Sequence, residues 1–519
     1  MISKDAIKRG YNRGNYTVGA HTRPTWATDV KCSGGAKGMQ IDPVELNEAT
    51  FDRLRVIADE VLTSESEVIT WTRDWWAGSM IAETQGTPAT SKGVIVRVST
   101  VEQIQDVMRL ANKLAIPVTV SAGRSNVTGA ALPLRGGIVL DVCNLNKLID
   151  FDPQSQIVEV EAGMFGDIFE QTIQKEYGMT MGHWPSSFGI STVGGWVACR
   201  GAGQLSTRYG KIEDMVFGMD VVLADGRLIT VGGYARSATG PDLQQMFIGS
   251  EGTLGVIVRV RLKLHRLPDY GRAIAWGFSS FASGLEACRE ILQHGANPAA
   301  LRLYDNLESG VQFGLPDTNV LLIADEGEPE IVDAVLAISE RVCQRSGQQL
   351  DGEAIFERWL DTRYLTGKSA EGFKKSPGLV ADTLEMIGRW RDLSAVYDDV
   401  VTAINDVPGT LAGSAHQSHA YIDGACLYFS LRGDVAIDQR AAWYRAAWDA
   451  ANAVLIKHNT SLSHHHGVGL LRSPYMQASL GESLSVLADI KHALDPQNIL
   501  NPGKLGLSAD LPSYQAGQQ

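Results

Sequence analysis

The chain has 519 residues, too many for one simple core, so at least two domains are expected. Hydrophobic residues make up 44% and charged residues 20%, a balance that excludes a disordered or fibrous chain. The 46 basic and 59 acidic residues leave a net charge of −13, which argues against a general basic face for nucleic acid or anionic membrane, and no uninterrupted apolar run is long enough to span a bilayer.

Residues 1 to about 45, rich in Gly, Lys, Arg and Thr, read as an extended arm. Glu45 to Leu62 has helical spacing, with Leu46, Phe51, Leu54, Ile57, Ala58 and Val61 on one face. The aromatic cluster Ile69 to Trp76 reads as packing between arm and body. From Gly93 the pattern alternates: Val94 to Val98 predicts a strand, Val101 to Leu114 an amphipathic helix, and Pro117 to Val120 a second strand. That unit ends in a small-residue loop, Ser121 to Gly129, and strand ends of this kind bind phosphates in α/β sheets. The loop is neither a GxGxxG fingerprint nor a Walker loop. Gly137 to Asp141 and Ile157 to Glu161 continue as strands, and Phe165 to Tyr177 as a helix.

Ser191 to Gly203 leads hydroxyl residues into glycines on both sides of Arg200, a composition that lets a ligand approach exposed backbone N–H groups. Met219 to Val231 predicts a hairpin about Asp225-Gly226, followed by Phe247 to Ile257 and a strand, Val258 to Leu264. Leu267-Pro268-Asp269 marks a boundary. Beyond it strands (Ile274 to Phe278, Val320 to Ala324, Cys426 to Leu431) mix with helices (Leu285 to His294, Glu330 to Ser346, Trp443 to His458), so the expected class is α+β. Cys32, Cys143, Cys199, Cys288, Cys343 and Cys426 are scattered and read as reduced thiols. With Met1 to Gly10 polar, a cytoplasmic location is expected.

Three stretches stand together in order: Val120 to Asn126; Ser186 to Thr192 with Cys199-Arg200-Gly201-Ala202; and Glu251 to Ile257. They resemble the PCMH-type FAD-binding domain of the vanillyl-alcohol oxidase / p-cresol methylhydroxylase superfamily, and Leu494 to Lys504 resembles that family's C-terminal return. The likeness is to the alkyldihydroxyacetonephosphate synthase branch: Phe188 to Trp196 is similar to its flavin loop, and Ser463 to Gly469 with Leu471-Arg472 to its triple-histidine motif. The branch's second active-site arginine is expected just before Leu379, where this chain has Phe373-Lys374-Lys375, and Arg124 stands where the family usually has glycine.

The resemblance implies an N-terminal arm and helical segment (1–92), an FAD-binding domain (93–268), a cap (269–465), a C-terminal return (466–507) and a tail (508–519). It implies non-covalent FAD held by Ser121, Ala122, Gly123, Arg124, Ser125, Asn126 and Val127 at the pyrophosphate; by Ser186, Ser187, Ser191, Thr192, Gly195, Cys199, Arg200 and Gly201 at the flavin; and by Glu251, Gly252, Leu254, Gly255, Val256 and Ile257 towards the adenine. Arg124 either adds a charge there or points to solvent. Tyr428 would be the proton acceptor, His464, His465 and His466 the oxyanion or hydroxyl partners, and Arg302 an anion anchor. Consecutive histidines cannot all face one way, so one or two of the three are expected in the site. Some related 2-hydroxyacid dehydrogenases hold a metal near the positions of His419 and His465; two imidazoles and Tyr428 are a poor hard-metal set, so none is expected, with His416, His419 and His465 leaving that alternative open. The expected activity is oxidation of an alcohol, hydroxy acid or phenolic carbinol by hydride transfer to flavin N5, with O2 or a carrier as final acceptor. The alternatives are 2-hydroxyacid dehydrogenation or an alkyl-glycerone-phosphate synthase-like transfer. The partner is a small molecule, with a homodimer left open.

Overall fold

The computed structural model describes residues 40–84, 90, 92–364 and 378–511. Most of the arm, the Phe373-Lys374-Lys375 stretch and the end of the tail therefore lie outside the described residues. The first layer is a four-stranded sheet, β1 (Glu60–Leu62), β2 (Val94–Arg97), β3 (Val118–Ser121) and β4 (Ile138–Asp141), in the order β1-β2-β4-β3. β2 and β3 run parallel to β4, and β1 is an antiparallel edge. The helix Val101–Leu114 crosses from β2 to β3; a Thr100/Gln103 capping box starts it and a left-handed Ala115 ends it. Its Ile104, Val107, Met108 and Ala111 stripe is buried against the sheet, as the spacing predicts.

The helix expected over Glu45 to Leu62 is shorter, Glu48–Ile57. Ala58 is extended, and Val61 pairs with Val96 as part of β1. Ladder hydrogen bonds to β2 outweigh a helical period that has run on past its last buried position, Leu54.

The second layer is an antiparallel sheet of β5 (Leu148–Asp152), β6 (Ile157–Glu161), β8 (Val216–Val222), β9 (Leu228–Gly232) and β10 (Val256–Lys263), ordered β5-β6-β10-β8-β9. β8 and β9 form the expected hairpin, with Gly226 at φ +82°. β7 (Met179–Thr180) pairs with β11 (His265–Arg266) beside it.

The third layer has seven antiparallel strands: β12 (Tyr270–Phe278), β13 (Ala300–Tyr304), β14 (Asn319–Gly327), β15 (Gln348–Leu350), β16 (Leu379–Arg389), β17 (Thr410–Ala420) and β18 (Gly424–Asp434), ordered β15-β12-β14-β13-β17-β18-β16. Period two separates its faces. Leu427, Phe429 and Leu431 of β18 and Leu301 and Leu303 of β13 enter a core with the helices Phe281–Gln293, Pro329–Cys343, Trp390–Asn405 and Arg440–Lys457. Tyr428, Ser430 and Arg432, and Arg302 and Tyr304, face the opposite way. A register shift between Gln417 and His419 on β17 brings both Ser418 and His419 to that second face.

The C-terminal segment returns to the first layer: Val118 N donates to the Ile499 carbonyl (2.7 Å) and Asn501 N to the Val118 carbonyl (2.8 Å). Among the described residues no helix is long and apolar enough to cross a membrane.

Candidate active site

A cavity of about 500 Å³ opens where the loop after β3, residues 183–204, the 251–257 turn and the second face of the seven-stranded sheet meet. Residues 120–127 line it together with Ser186, Ser187, Ser191, Thr192, Gly195, Cys199, Gly201, Glu251, Gly252, Gly255 and Ile257. The two loops touch backbone to backbone: a Cβ on Gly123 would lie 2.3 Å from the Ile190 carbonyl oxygen. Arg124 takes φ +54°, which is why glycine suits the position, and its guanidinium lies 4.4 Å from the Trp71 ring centroid rather than in open solvent.

Several expected cofactor contacts go elsewhere. Arg200 caps the helix Val193–Cys199 with φ +55°, and its guanidinium turns from the cavity to donate to the Gln245 and Ile248 carbonyls. Leu254 and Val256 are core residues, because alternation along the turn into β10 sends them inward. The Glu251 carboxylate accepts from Val468 N (2.6 Å) and Gly469 N (2.9 Å), so its bonds hold the 463–469 turn. The Cys199 thiol is pushed up to about 12 by burial, with the Glu251 charge adding to it.

The triple-histidine turn is clamped on its other side by Glu385 of β16, which is fully buried and accepts from the Ser463 hydroxyl, His464 N and His466 N. The fully buried Arg472 guanidinium balances that carboxylate at 3.3 Å. His465 and His466 line the cavity; His464 turns away, accepting or donating at Tyr421 Oη (2.8 Å). An oxyanion partner would act best as a positive imidazole, yet burial, less a contribution from Glu385, holds His466 down to about 4, and burial with neighbouring imidazoles holds His465 well below its ordinary range. Both are neutral at pH 7 and act through N–H and lone pair. His419, His464 and His465 bring ring nitrogens within 4.8 Å of one another. His464 Nδ1 meets His465 Nδ1 at 2.9 Å, and His419 Nδ1 meets the Ser206 hydroxyl at 2.7 Å.

Tyr428 lies between the His416 and His465 rings (centroids 5.0 and 5.9 Å). Its hydroxyl accepts from Thr383 Oγ1 at 2.9 Å and sits 3.5 Å from His466 Nε2. A proton-accepting phenol needs a lowered pKa; burial raises this one despite the Thr383 bond, so it is a neutral hydroxyl that donates.

Arg302 lines the cavity, its Nε donating to Tyr304 Oη (2.9 Å) and Nη1 to the Ser418 carbonyl (3.3 Å). Sequence reasoning missed Arg363, which follows the helix Gly352–Thr362 and shares the Trp359 ring with Arg302, at 5.0 and 5.8 Å. Both arginines are buried, and neither meets a carboxylate among the described residues. It also missed His183, Gln204, Glu308 and Arg432, all on the cavity wall, and took His416 only as a possible metal ligand. His416 faces Tyr428 across paired strands.

The wall fits a large polar cofactor. Among the described residues, Ser121 Oγ, both ring nitrogens of His183, Gln204 Oε1 and Arg363 Nε are buried with no hydrogen-bond partner, and their residues line this cavity. Burying so many unmet polar atoms costs several kcal/mol, roughly 1–3 each, unless a ligand meets them.

Residues 93–232 match the model of an FAD binding domain, and residues 267–505 that of the C-terminal domain of FAD linked oxidases. The chain is 30% identical over 435 residues to alkyldihydroxyacetonephosphate synthase of Trypanosoma brucei brucei, covering 77% of this chain and 70% of the relative. It is 24% identical over 453 residues to glycolate oxidase subunit GlcD of Bacillus subtilis (strain 168), covering 83% and 92%. Among solved structures, an alkyldihydroxyacetonephosphate synthase superposes with a TM-score of 0.75 at 22% identity, covering 96% of this chain and 92% of that one. p-Cresol methylhydroxylase with substrate bound superposes with a TM-score of 0.72 at 19% identity, covering 90% and 98%.

Proposed function

The chain belongs to the FAD-linked oxidase family with a PCMH-type FAD-binding fold and is an FAD-dependent enzyme; from that premise we propose that it oxidises an alcohol carrying an anionic group, a 2-hydroxy acid being the simplest case. The observation that carries this reading is the pair of buried guanidiniums, Arg302 and Arg363, on the wall that also holds Tyr428, His465 and His466. A buried cation without a counter-ion is costly, and an incoming carboxylate or phosphate relieves that cost with charge-assisted bonds. When bound, FAD supplies the acceptor for two electrons and a hydrogen.

The protein's part is placement. Residues 121–127 and the 186–201 segment hold the cofactor non-covalently, and 93–268 is the cofactor domain beneath a 269–465 cap. Arg302 and Arg363 fix the anionic end of the substrate. The Tyr428 hydroxyl and the neutral His466 imidazole, 3.5 Å apart, hold the substrate oxygen between them. The free thiols Cys143, Cys199, Cys288, Cys343 and Cys426 support a reducing compartment, the cytoplasm.

The test is anaerobic mixing of the FAD-loaded protein with glycolate, lactate, larger 2-hydroxy acids and phosphorylated alcohols. Bleaching of the yellow absorbance by an anionic alcohol, and not by its uncharged analogue, is expected. No bleaching by any of them would overturn the reading; group transfer with the flavin still oxidised at the end would favour the synthase-like chemistry instead.

A further inference from the structure

Five histidines line the cavity: His183, His416, His419, His465 and His466. Burial drives His183 down to about 3 and His466 to about 4, and drives His419 and His465 well below the ordinary range. His466 Nδ1 lies 3.5 Å from Glu385 Oε1 and makes no hydrogen bond. His416 differs in its partner. Its Nδ1 lies 2.7 Å from Glu308 Oε2, a carboxylate that is itself buried, at 8% exposure.

Glu308 is held for this task. It sits in the first turn of the helix Asn306–Phe313, which Asp305 caps. Its other oxygen accepts from the hydroxyls of Ser414 (3.1 Å) and Ser430 (2.7 Å), on the adjacent strands β17 and β18. Burial pushes this carboxyl up, but a proton on His416 and these hydrogen bonds outweigh it and hold it at about 2, so Glu308 is ionised whenever His416 carries a proton. The His416 ring lies between Tyr304 and Tyr428, at 5.2 and 5.0 Å and within 27° of parallel to each. With Nδ1 on the carboxylate and both faces covered, Nε2 makes no hydrogen bond among the described residues, and the ring lines the cavity beside Tyr428.

We propose that His416, oriented and electrostatically supported by Glu308, takes the hydroxyl proton of the substrate. This rests on the reading that the substrate is an alcohol being oxidised. The O–H bond breaks with its proton going to Nε2. Bound FAD would supply the acceptor for the hydrogen and electron pair of the breaking C–H bond, leaving a C=O bond. The imidazolium left behind faces the Glu308 carboxylate, so the new charge is neutralised where it appears. The groups that face the ring are Tyr304 on β13, Tyr428 on β18 and Glu308 on its helix, with Arg302 and Arg432 elsewhere on the cavity wall; of these only Glu308 is anionic at neutral pH.

The test uses the FAD-loaded full chain, with His416→Gln, whose amide can still donate to Glu308, and Glu308→Gln. The readouts are the pH dependence of anaerobic bleaching by whichever 2-hydroxy acid bleaches the wild type, and NMR titration of histidine-labelled protein, with the His416 signal identified by its loss in His416→Gln. In the wild type the bleaching rate falls along an acid limb as the base protonates. His416→Gln lowers the rate by about 10²–10³-fold and flattens that limb, with the bound-flavin spectrum unchanged. Glu308→Gln lowers the bleaching rate and changes the His416 signal, because the carboxylate no longer faces Nδ1. Wild-type rate and limb in His416→Gln would overturn this role while leaving the proposed oxidation standing. A wild-type rate with an unchanged His416 signal in Glu308→Gln would overturn the support from Glu308. If no 2-hydroxy acid or phosphorylated alcohol bleaches the wild type, the oxidation reading and this role fall together.

Discussion

At the scale of single residues, the candidate site is marked by its buried polar groups, some partnered and some not. Tyr428 is a neutral phenol between two imidazoles, so replacing it with Phe removes a donor and no charge. Tyr428→Phe is expected to lower the anaerobic reduction rate by about 10²-fold or more while FAD stays bound, read by stopped-flow bleaching beside the flavin spectrum. Arg363 tests the anchor. Arg363→Ala should raise KM for an anionic substrate about a hundredfold, and Arg363→Lys should recover only part of that, because an ammonium cannot make the forked contact. Steady-state kinetics with charged and uncharged analogues decides it; an equal loss for both would place Arg363 in the scaffold.

At the scale of elements, the decisive unit is the 463–469 turn between two buried carboxylates. Glu385 of β16 takes its first N–H groups and Glu251 its last, so the histidines are placed by strands from two different sheets. Glu385→Gln is expected to destabilise the fold by about 3 kcal/mol, because it leaves the buried Arg472 guanidinium without its counter-ion, and the urea midpoint reports it. The loop after β3 offers a second test. Gly123→Ala would drive a methyl group into the Ile190 carbonyl, 2.3 Å away, so the two cofactor loops must separate. FAD should then bind at least about tenfold more weakly, measured by ultrafiltration of released flavin.

At the scale of the whole molecule, the short helix Ser206–Tyr209 ahead of β8 is tied to the seven-stranded sheet by Arg208 to Asp325 (2.6 Å) and Tyr209 to Glu326 (2.8 Å). Beneath these contacts Glu170 is buried, and burial, with a contribution from Glu326, raises its carboxyl to about 7 despite bonds from Gln174, Thr180 and Met181. The folded form therefore keeps a proton that the unfolded chain gives up near 4.5. Stability from this group is full below that value and is lost as pH rises through about 7. Glu170→Gln carries no such proton, so the melting temperature of the variant should gain on that of the wild type between pH 5 and pH 8, by the equivalent of up to about 3 kcal/mol. A constant difference across that range would show that Glu170 is not held protonated.

What the sequence determined by itself was whatever depends on near neighbours in the chain. The helix Val101–Leu114, the strand-to-loop step at Ser121, the Asp225-Gly226 hairpin and the inward and outward faces of β18 follow from period, caps and turn residues, and three short motifs sufficed for the cofactor. The tertiary structure decided what depends on partners far along the chain. It turned Arg200 away to carbonyls some 45 residues on, made β1 out of the end of a helical pattern, and set Arg363 beside Arg302 over one tryptophan. It also set protonation states: neutral His465 and His466, and a neutral Tyr428. Charge in a buried site is governed by desolvation and by the groups that surround it in space, and a linear pattern holds neither.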